Sequence, residues 1–306
     1  MSFSSIIKEE LCHVEPHGKC CVYAELAAVF CMNNAAGGTQ ADCRLVTENA
    51  ALARRVFNMV RGLQKAPPDI IVRKNRRLKK NASYIVHVSD VMGLPGIRNG
   101  CDLDMLRGFA GRKCCKKAAL RGAFLAGGSI SDPEKLYHLE ICCKRAELAA
   151  FFSELMAGFG LNPKITERME YCVIYVKDSE HIVDFLNVTG AHRALMSLEN
   201  TRILKDMRNN VNRAVNCETA NLEKTVNASL RQISNILYIK NTVGFDSLPD
   251  NLKEIAKIRA SNREISLKEL GLILNPPLGK SGVNHRLRKL DLIAEDIRLK
   301  QFKNTE

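Results

Sequence analysis

Long apolar runs are missing from this sequence of 306 residues. No stretch approaches the roughly 18 consecutive apolar residues that a membrane-spanning helix needs, which argues against an integral membrane protein. The first ten residues also lack the layout of a secretion signal, in which a charged stretch precedes an apolar one. From these two absences we expect a cytoplasmic protein. Hydrophobic residues make up 46% of the chain, enough for a sizeable core.

Acidic residues are in short supply as well. The chain carries 33 aspartates and glutamates against 46 lysines and arginines, a formal net charge of +13. A surplus of this size favours a polyanionic partner, either nucleic acid or an anionic membrane surface. Since no segment suits a membrane, we expect nucleic acid to be the partner.

The commonest spacing of zinc-binding and redox cysteines, CxxC, is absent although the chain has 12 cysteines. Three pairs are instead adjacent in sequence: Cys20–Cys21, Cys114–Cys115 and Cys142–Cys143. We interpret the cysteines as reduced thiols that pack as small hydrophobic side chains in a cytosolic core.

One group of ligand-type residues falls within ten positions and comprises Cys12, His13, His17, Cys20 and Cys21. Such a group could hold a metal ion. Alternatively, the two adjacent cysteines open a buried helix while both histidines lie in a polar loop. We prefer the second interpretation and predict no metal.

The sequence contains an internal repeat. Residues 26–34 and 120–128 share a helix-forming pattern of small and apolar residues, and each segment ends in residues that tolerate positive φ. An extended segment, an amphipathic helix and two β-rich runs follow in each copy. These elements lie at 43–46, 51–57, 69–73 and 84–88 in the first copy, and at 137–141, 147–152, 163–166 and 171–176 in the second. The pattern predicts a duplicated α+β domain.

Small residues are frequent in the two helices that open the repeats, and include Ala27, Ala28, Gly122, Ala126 and Gly127. They would let the two helices approach closely across a pseudo-twofold axis. Alternatively, each helix packs its small face against its own sheet. The sequence leaves both arrangements open.

Strand patterns stop after about residue 190. Residues 202–227 have a helical period and are rich in asparagine, and an amphipathic helix continues to Ile239. We expect a hinge at 244–247, followed by a helix that Pro249 opens and that extends to Arg259.

The C-terminal segment predicts a helix-turn-helix. Ser266 and Glu269 have the spacing of a capping box, and the short helix that follows ends before Asn275-Pro276-Pro277. Ser281 is a natural N-cap for a second helix over 282–290, whose core face is formed by Val283, Leu287 and Leu290.

The second helix of this motif presents hydrogen-bond donors suited to the edges of DNA bases. Together with its neighbourhood, it supplies the predicted DNA contacts Lys268, Lys280, Ser281, Asn284, His285, Arg286, Arg288 and Lys289. Two basic runs, at 73–80 and 107–121, add candidate phosphate contacts at Arg76, Arg77, Lys79, Lys116 and Lys117. The alternative for every one of these surfaces is a basic face that is simply solvated.

The opening segments of the two repeats resemble the LAGLIDADG motif of homing endonucleases, whose domain has the same duplicated plan. In that family the acidic residue beside the last glycine of each motif binds the catalytic metal. Asn33 and Gly127 occupy these positions here. Cleavage of a phosphodiester with a divalent ion needs anionic oxygen ligands, which neither residue offers. The resemblance therefore implies a nuclease fold without nuclease chemistry, and we expect no catalytic residue, metal or cofactor.

From end to end the sequence also resembles the WhiA family of Gram-positive bacteria, regulators of transcription in sporulation and cell division. The resemblance rests on segments 20–28, 120–129, 137–140, 208–221 and 266–298, with a looser turn at 35–38 as the one departure. It implies an α+β LAGLIDADG-like domain followed by an all-α helix-turn-helix domain. The expected parts are a first repeat at 1–95, a second repeat at 96–192, a helical linker at 193–247 and the DNA-binding domain at 248–306.

Our leading hypothesis is a non-catalytic, sequence-specific transcription regulator that binds double-stranded DNA at the nucleoid. Its physiological setting would be cell division, chromosome segregation or sporulation, with another transcription or division protein as a second partner. One alternative is a residual metal-dependent nuclease that uses other acids, such as Asp132, Glu140 or Asp178. The other is a structural protein that is tethered to the nucleoid.

Overall fold

The structure is a computed structural model that describes residues 2–33, 43–63, 67–74, 82–88 and 103–303. The predicted turn at 35–38 lies outside these ranges. The chain divides into two compact units, Met1–Asp206 and Met207–Glu306, which are treated separately below. Within the described ranges, no helix is both long and apolar enough to cross a membrane.

The first repeat combines three helices with a three-stranded antiparallel sheet of order β1-β3-β2. Its elements are α1 (Phe3–Leu11), α2 (Lys19–Asn33), β1 (Cys43–Thr47), α3 (Ala50–Leu63), β2 (Asp69–Lys74) and β3 (Ala82–Val88). The extended segment, amphipathic helix and hairpin predicted from the sequence are all present.

Within the described residues, the second repeat has the same plan with one more strand, and its antiparallel sheet has the order β4-β5-β7-β6. Its elements are α4 (Leu103–Phe109), α5 (Lys113–Gly127), β4 (Gly128–Ile130), β5 (Leu139–Cys143), α6 (Ala146–Ala157), β6 (Lys164–Arg168), β7 (Tyr171–Val176) and α7 (Ser179–Thr189). The duplicated α+β domain is therefore confirmed.

Helices α2 and α5 pack against each other at the centre of the first unit. A Cβ atom added to Gly122 would lie 2.5 Å from the carbonyl oxygen of Glu25 and 3.1 Å from the Cβ atom of Ala28. The two backbones are thus too close for any side chain at residue 122. Of the two arrangements that the sequence left open, the close approach of the two opening helices is confirmed.

Gly127 and Gly128, at the end of α5, are required by close packing. The sequence had suggested that they allow a turn with positive φ, and the structure corrects this. Gly128 has φ −86° and ψ 154° and passes directly into β4. A Cβ atom on Gly127 would lie 2.7 Å from the carbonyl oxygen of Cys142, and one on Gly128 would collide with the ring of Phe124. Contact with β5 therefore excludes a side chain at Gly127, and Phe124 of α5 itself excludes one at Gly128.

Nine described cysteines carry free thiols, as the sequence analysis expected for the whole set. Cys31 departs from this expectation, because it is disulfide-bonded.

A buried carboxylate connects the two repeats. Glu25 on α2 is 1% exposed, and its Oε1 atom lies 2.5 Å from Nε of Arg55 on α3. Its Oε2 atom accepts from Nε of Arg121 on α5 at 2.9 Å. Both guanidinium groups donate further hydrogen bonds, since Arg55 donates to the carbonyl of Cys12 at 2.8 Å and Arg121 donates to that of Thr189 at 2.9 Å. Burial of these charges is tolerated because each has partners.

The second unit is helical. One long helix, α8 (His192–Thr242), begins in the first unit and ends in the second, where a 3-10 turn (Phe245–Ser247), α9 (Asp250–Ser261), α10 (Leu267–Ile273) and α11 (Lys280–Lys303) follow. Ile236 and Ile239, near the end of α8, share a core with residues of α9, α10 and α11. The asparagine-rich stretch of α8 is exposed from Met207 to Asn227.

Replacement of Gly122 by alanine tests the close helix approach. We expect Gly122→Ala to lower the free energy of unfolding by about 1–3 kcal/mol, because the new methyl group forces the two backbones apart. The matched control is Gly62→Ala on α3, where an added Cβ atom meets nothing within 4 Å. The control should leave stability unchanged or slightly raised. Urea titrations followed by circular dichroism measure both, and equal stability of the two variants would contradict the packing argument.

Glu25→Gln tests the buried network. The variant leaves two buried arginines without a counter-charge, so we expect a loss of about 3–5 kcal/mol in the free energy of unfolding. Glu134→Gln is the matched control, because Glu134 is exposed. Calorimetry measures the free energy of unfolding of both variants. A Glu25→Gln protein as stable as the control would show that the network does not stabilise the fold.

Candidate nucleic-acid interface

Helix α10 begins with a complete capping box, as the sequence predicted. The backbone N–H of Ser266 donates to Oε2 of Glu269 at 2.8 Å, and the N–H of Glu269 donates to Oγ of Ser266 at 3.3 Å. Hydrogen bonds from the backbone of Ser266, and then from its side chain, lower the pKa of Glu269. The start of this short helix is therefore fixed by its own side chains.

Six residues, 274–279, connect α10 to α11. The turn folds back on α10, since the N–H of Leu278 donates to the carbonyl of Gly271 at 2.9 Å. A Cβ atom on Gly271 would collide with the Leu278 carbonyl oxygen, so only glycine fits there. The N–H of Asn275 donates to Oε1 of Glu254 on α9 at 3.0 Å. These contacts hold a turn that is longer than the usual three or four residues of the motif.

Helix α11 begins earlier than the sequence predicted. The carbonyl of Gly279 accepts from the N–H of Val283 at 3.1 Å, so the helix starts at Lys280 and Gly279 precedes it. Ser281 is the second helical residue and not the N-cap. Glycine is acceptable before a helix, which removes the need for the serine cap. The predicted core face of Val283, Leu287 and Leu290 is confirmed, each being at most 1% exposed.

The first three turns of α11 present a polar and cationic face to solvent. At about 100° per residue, Ser281, Asn284, His285 and Arg288 fall within roughly one quarter to one third of the helix circumference. Asn284 is half-buried and the other three are exposed. Lys280 and Lys289 on the same helix, and Lys268 on α10, are exposed as well. The structure thus brings most of the predicted contact residues of this motif to solvent.

Arg286 stands apart from this face. It follows Asn284 by two residues, which places it about 200° further around the helix. The side chain is half-buried, and its Nη1 atom donates to the carbonyl of Asn251 on α9 at 3.2 Å. The helical period separates Arg286 from Ser281, Asn284, His285 and Arg288 but not from Lys289, three residues later. The hydrogen bond to Asn251 is what removes Arg286 from the candidates.

The first basic stretch of α11 ends at Lys289. Acidic residues follow at Asp291, Glu295 and Asp296. Asp291 accepts from Nδ2 of Asn235 on α8 at 2.8 Å, while Arg298 donates to Oδ1 of the same asparagine at 2.7 Å. Asn235 therefore anchors the second half of α11 through Asp291 and Arg298, although Lys300 beyond them is exposed.

The two further basic runs are only partly within the described ranges. Arg76, Arg77 and Lys79 lie outside them. Lys116 and Lys117 are on α5 and are half-buried. Neither run contributes a described face comparable to that of α11.

Asn33 and Gly127, which the sequence resemblance equates with the metal-binding acids of homing endonucleases, end α2 and α5 without a carboxylate. The amide of Asn33 is turned to β1, where Nδ2 donates to the carbonyl of Val46 at 3.1 Å. Gly127 lies under the carbonyl of Cys142 and has no side chain to offer. Neither position therefore offers the anionic oxygen that a divalent ion needs.

The acids named for an alternative nuclease are each engaged locally. Asp132 accepts from the N–H of Glu134 at 3.0 Å, and Asp178 caps α7 through the N–H of Glu180 at 2.8 Å. Glu140 accepts from Oγ of Ser129 at 3.0 Å. In the part of the chain that the structure describes, these acids belong to no group of ligand-type side chains close enough to share an ion.

Comparison with known proteins identifies the family. Three sequence models match, described as the WhiA N-terminal LAGLIDADG-like domain at 19–93, the WhiA LAGLIDADG-like domain at 116–208 and the WhiA C-terminal HTH domain at 211–294. A relative from Ruminiclostridium cellulolyticum, named probable cell division protein WhiA, is 50% identical over 97% of this chain and 98% of its own length. The chain belongs to the WhiA family.

Two more WhiA proteins extend the comparison. The probable cell division protein WhiA of Alkaliphilus metalliredigens is 46% identical over 96% of this chain and 98% of its own. The crystal structure of full-length DUF199/WhiA from Thermatoga maritima is 29% identical with a TM-score of 0.60, covering 97% of this chain and 99% of that one. The fold predicted from the sequence is thus that of solved WhiA proteins.

Proposed function

We propose that this WhiA-family chain is a sequence-specific DNA-binding regulator of transcription that acts in cell division, chromosome segregation or sporulation. The observation that supports this most strongly is the solvent-facing polar surface on the first three turns of α11. A helix-turn-helix positions that surface through its capped helix, its glycine-dependent turn and its buried core. The names of the relatives favour a role in division.

The chemistry of the face suits the major groove of duplex DNA. An arginine such as Arg288 can donate two hydrogen bonds to guanine, and an asparagine such as Asn284 can pair with adenine. Lys280, Lys289 and Lys268 suit phosphate oxygens, whose contacts position the helix without reading sequence. The N–H groups at the start of α11 add favourable partial charge for a phosphate. Arg286 is left out of the proposed interface because it is engaged with Asn251.

We propose further that the LAGLIDADG-like domain is not catalytic, because Asn33 and Gly127 replace the acids of the nuclease motif. The predicted protein partner, another transcription or division protein, stays part of the proposal. An apolar stripe along the exposed part of α8 favours it, formed by Met207, Val211, Val215, Leu222 and Val226. Location at the nucleoid would follow from DNA binding.

Arg288→Ala and Asn284→Ala test the proposed face. A site is first selected from random duplexes with the full chain, and binding is then measured by fluorescence anisotropy at fixed salt. Each substitution should weaken binding to the selected site by about 1–3 kcal/mol, roughly 5- to 150-fold, through loss of a base contact. Binding to unrelated DNA should change much less for Asn284→Ala.

Lys300→Ala is the matched control, since it removes an exposed cation from the other half of α11. It should bind the selected site within about twofold of the parent. Chromatin immunoprecipitation with the parent and Arg288→Ala then tests occupancy in cells. Normal binding by both face variants would reject α11 as the reading element, and failure of the parent to bind any duplex at moderate salt would reject the proposal itself.

Plasmid incubated with the full chain and Mg²⁺ or Mn²⁺ should stay supercoiled, because carboxylates are missing from both motif positions. Agarose gels over several protein-to-DNA ratios measure nicking and linearisation of the plasmid. Asp132→Asn, Glu140→Gln and Asp178→Asn preparations serve as controls for a contaminating nuclease. Metal-dependent cutting that is lost in one of these variants would mean that the domain is an enzyme after all.

A further inference from the structure

The internal repeat relates two pairs of adjacent cysteines. The offset of 94 positions that superimposes segment 26–34 on 120–128 also superimposes Cys20 on Cys114 and Cys21 on Cys115. Each pair occupies the second and third residues of its helix, since α2 starts at Lys19 and α5 starts at Lys113. Both helices therefore bring two thiols to the same end of the central helix pair.

The four thiols meet in space. Their Sγ atoms all lie within 4.8 Å of one another, and those of Cys114 and Cys115 are 3.9 Å apart. Four thiolates bound to one zinc ion at about 2.3 Å would stand about 3.8 Å from each other. A contraction of about 1 Å at most thus converts the cluster into a tetrahedral four-sulfur site. All four cysteines carry free thiols.

The surroundings suit a closed metal site. Cys21 and Cys115 are buried beside Ala24 and Ala118, while Cys20 and Cys114 are half-buried and Phe109 packs against the group. A hydrophobic shell of this kind limits the access of water to a metal.

The charge around the cluster is positive. Both helix N-termini direct the positive end of their dipoles towards the thiols, and no side chain caps the α5 terminus at Arg112. The neighbouring Lys19, Arg112 and Lys113 are exposed cations. These cations would offset the net charge of −2 that four thiolates give with Zn²⁺.

We propose that Cys20, Cys21, Cys114 and Cys115 bind one Zn²⁺ ion and so join the N-terminal ends of α2 and α5 across the two repeats. On binding, the four thiol protons pass to solvent and four sulfur–zinc bonds form, without oxidation or reduction. The site is distinct from the metal positions of the nuclease motif. Those lie at the opposite ends of the same helices, 13 residues or about 20 Å away.

The test is a metal titration of the full chain, purified under reducing, metal-free conditions. Cobalt(II) should bind at one equivalent, with the intense charge-transfer and ligand-field bands of tetrahedral sulfur coordination, and Zn²⁺ should displace it. Elemental analysis of protein from zinc-supplemented cells should give one zinc per chain. Cys20→Ser and Cys114→Ser should each weaken metal affinity by at least about 100-fold, because each removes a ligand.

Matched controls are Cys172→Ser and Cys217→Ser, which remove free thiols outside the cluster. They should keep the parental spectrum and affinity, and circular dichroism confirms that all four variants fold. Three results would overturn the proposal. They are a reduced parent that binds no cobalt, cobalt bands that survive in both cluster variants, and an iron–sulfur chromophore or a cluster disulfide in place of zinc. Because the titration needs no DNA, its outcome is independent of the proposed function.

Discussion

Glu25 accepts hydrogen bonds from arginines of both repeats, and much of the first unit depends on this contact. Without Arg55 and Arg121, a buried carboxylate would be too costly to keep charged. With them, α2 is fixed along α5 at the point where Gly122 admits the backbone of Glu25. Such a restraint sets the register of the whole helix pair. It therefore also determines which residues meet at the two ends of the pair.

The restraint is asymmetric although the helices are repeats. The offset of 94 positions between the repeats makes Ala119 the equivalent of Glu25 in the second copy, and Ala27 the equivalent of Arg121 in the first. One copy thus supplies the carboxylate and the other supplies an arginine. Two symmetric copies would place two carboxylates near the axis, where like charges in a dry interior repel each other. A duplicated chain can divide these roles, because its halves are encoded separately.

Local patterns explain what could be predicted from the sequence. Strand alternation, the capping box at Ser266 and the apolar face with Val283 are properties of short segments. The Glu25 network joins residues up to 96 positions apart, and no local pattern reports such a pairing. Gly127 and Gly128 were assigned to a left-handed turn because a sequence does not show the neighbours that exclude their Cβ atoms. The hydrogen bond from Arg286 to Asn251, 35 positions away, is likewise a tertiary contact that no local pattern reports.

The internal repeat also relates the four clustered cysteines, because Cys20 and Cys21 are equivalent to Cys114 and Cys115. The linear window from Cys12 to Cys21 suggested a mixed histidine and cysteine site, yet the described structure groups only its two cysteines, with their counterparts from the second repeat. In a duplicated fold, a site on the axis takes half of its ligands from each copy, and neither half matches a motif by itself. The absence of CxxC spacing then does not argue against a metal site, because the second pair of ligands comes from the other repeat. The same reasoning applies to the nuclease motif, where each copy contributes one position. Asn33 and Gly127 stand at the positions that the resemblance assigns to the two acids, so one end of the helix pair has no carboxylate there, while four thiols lie together at the other end.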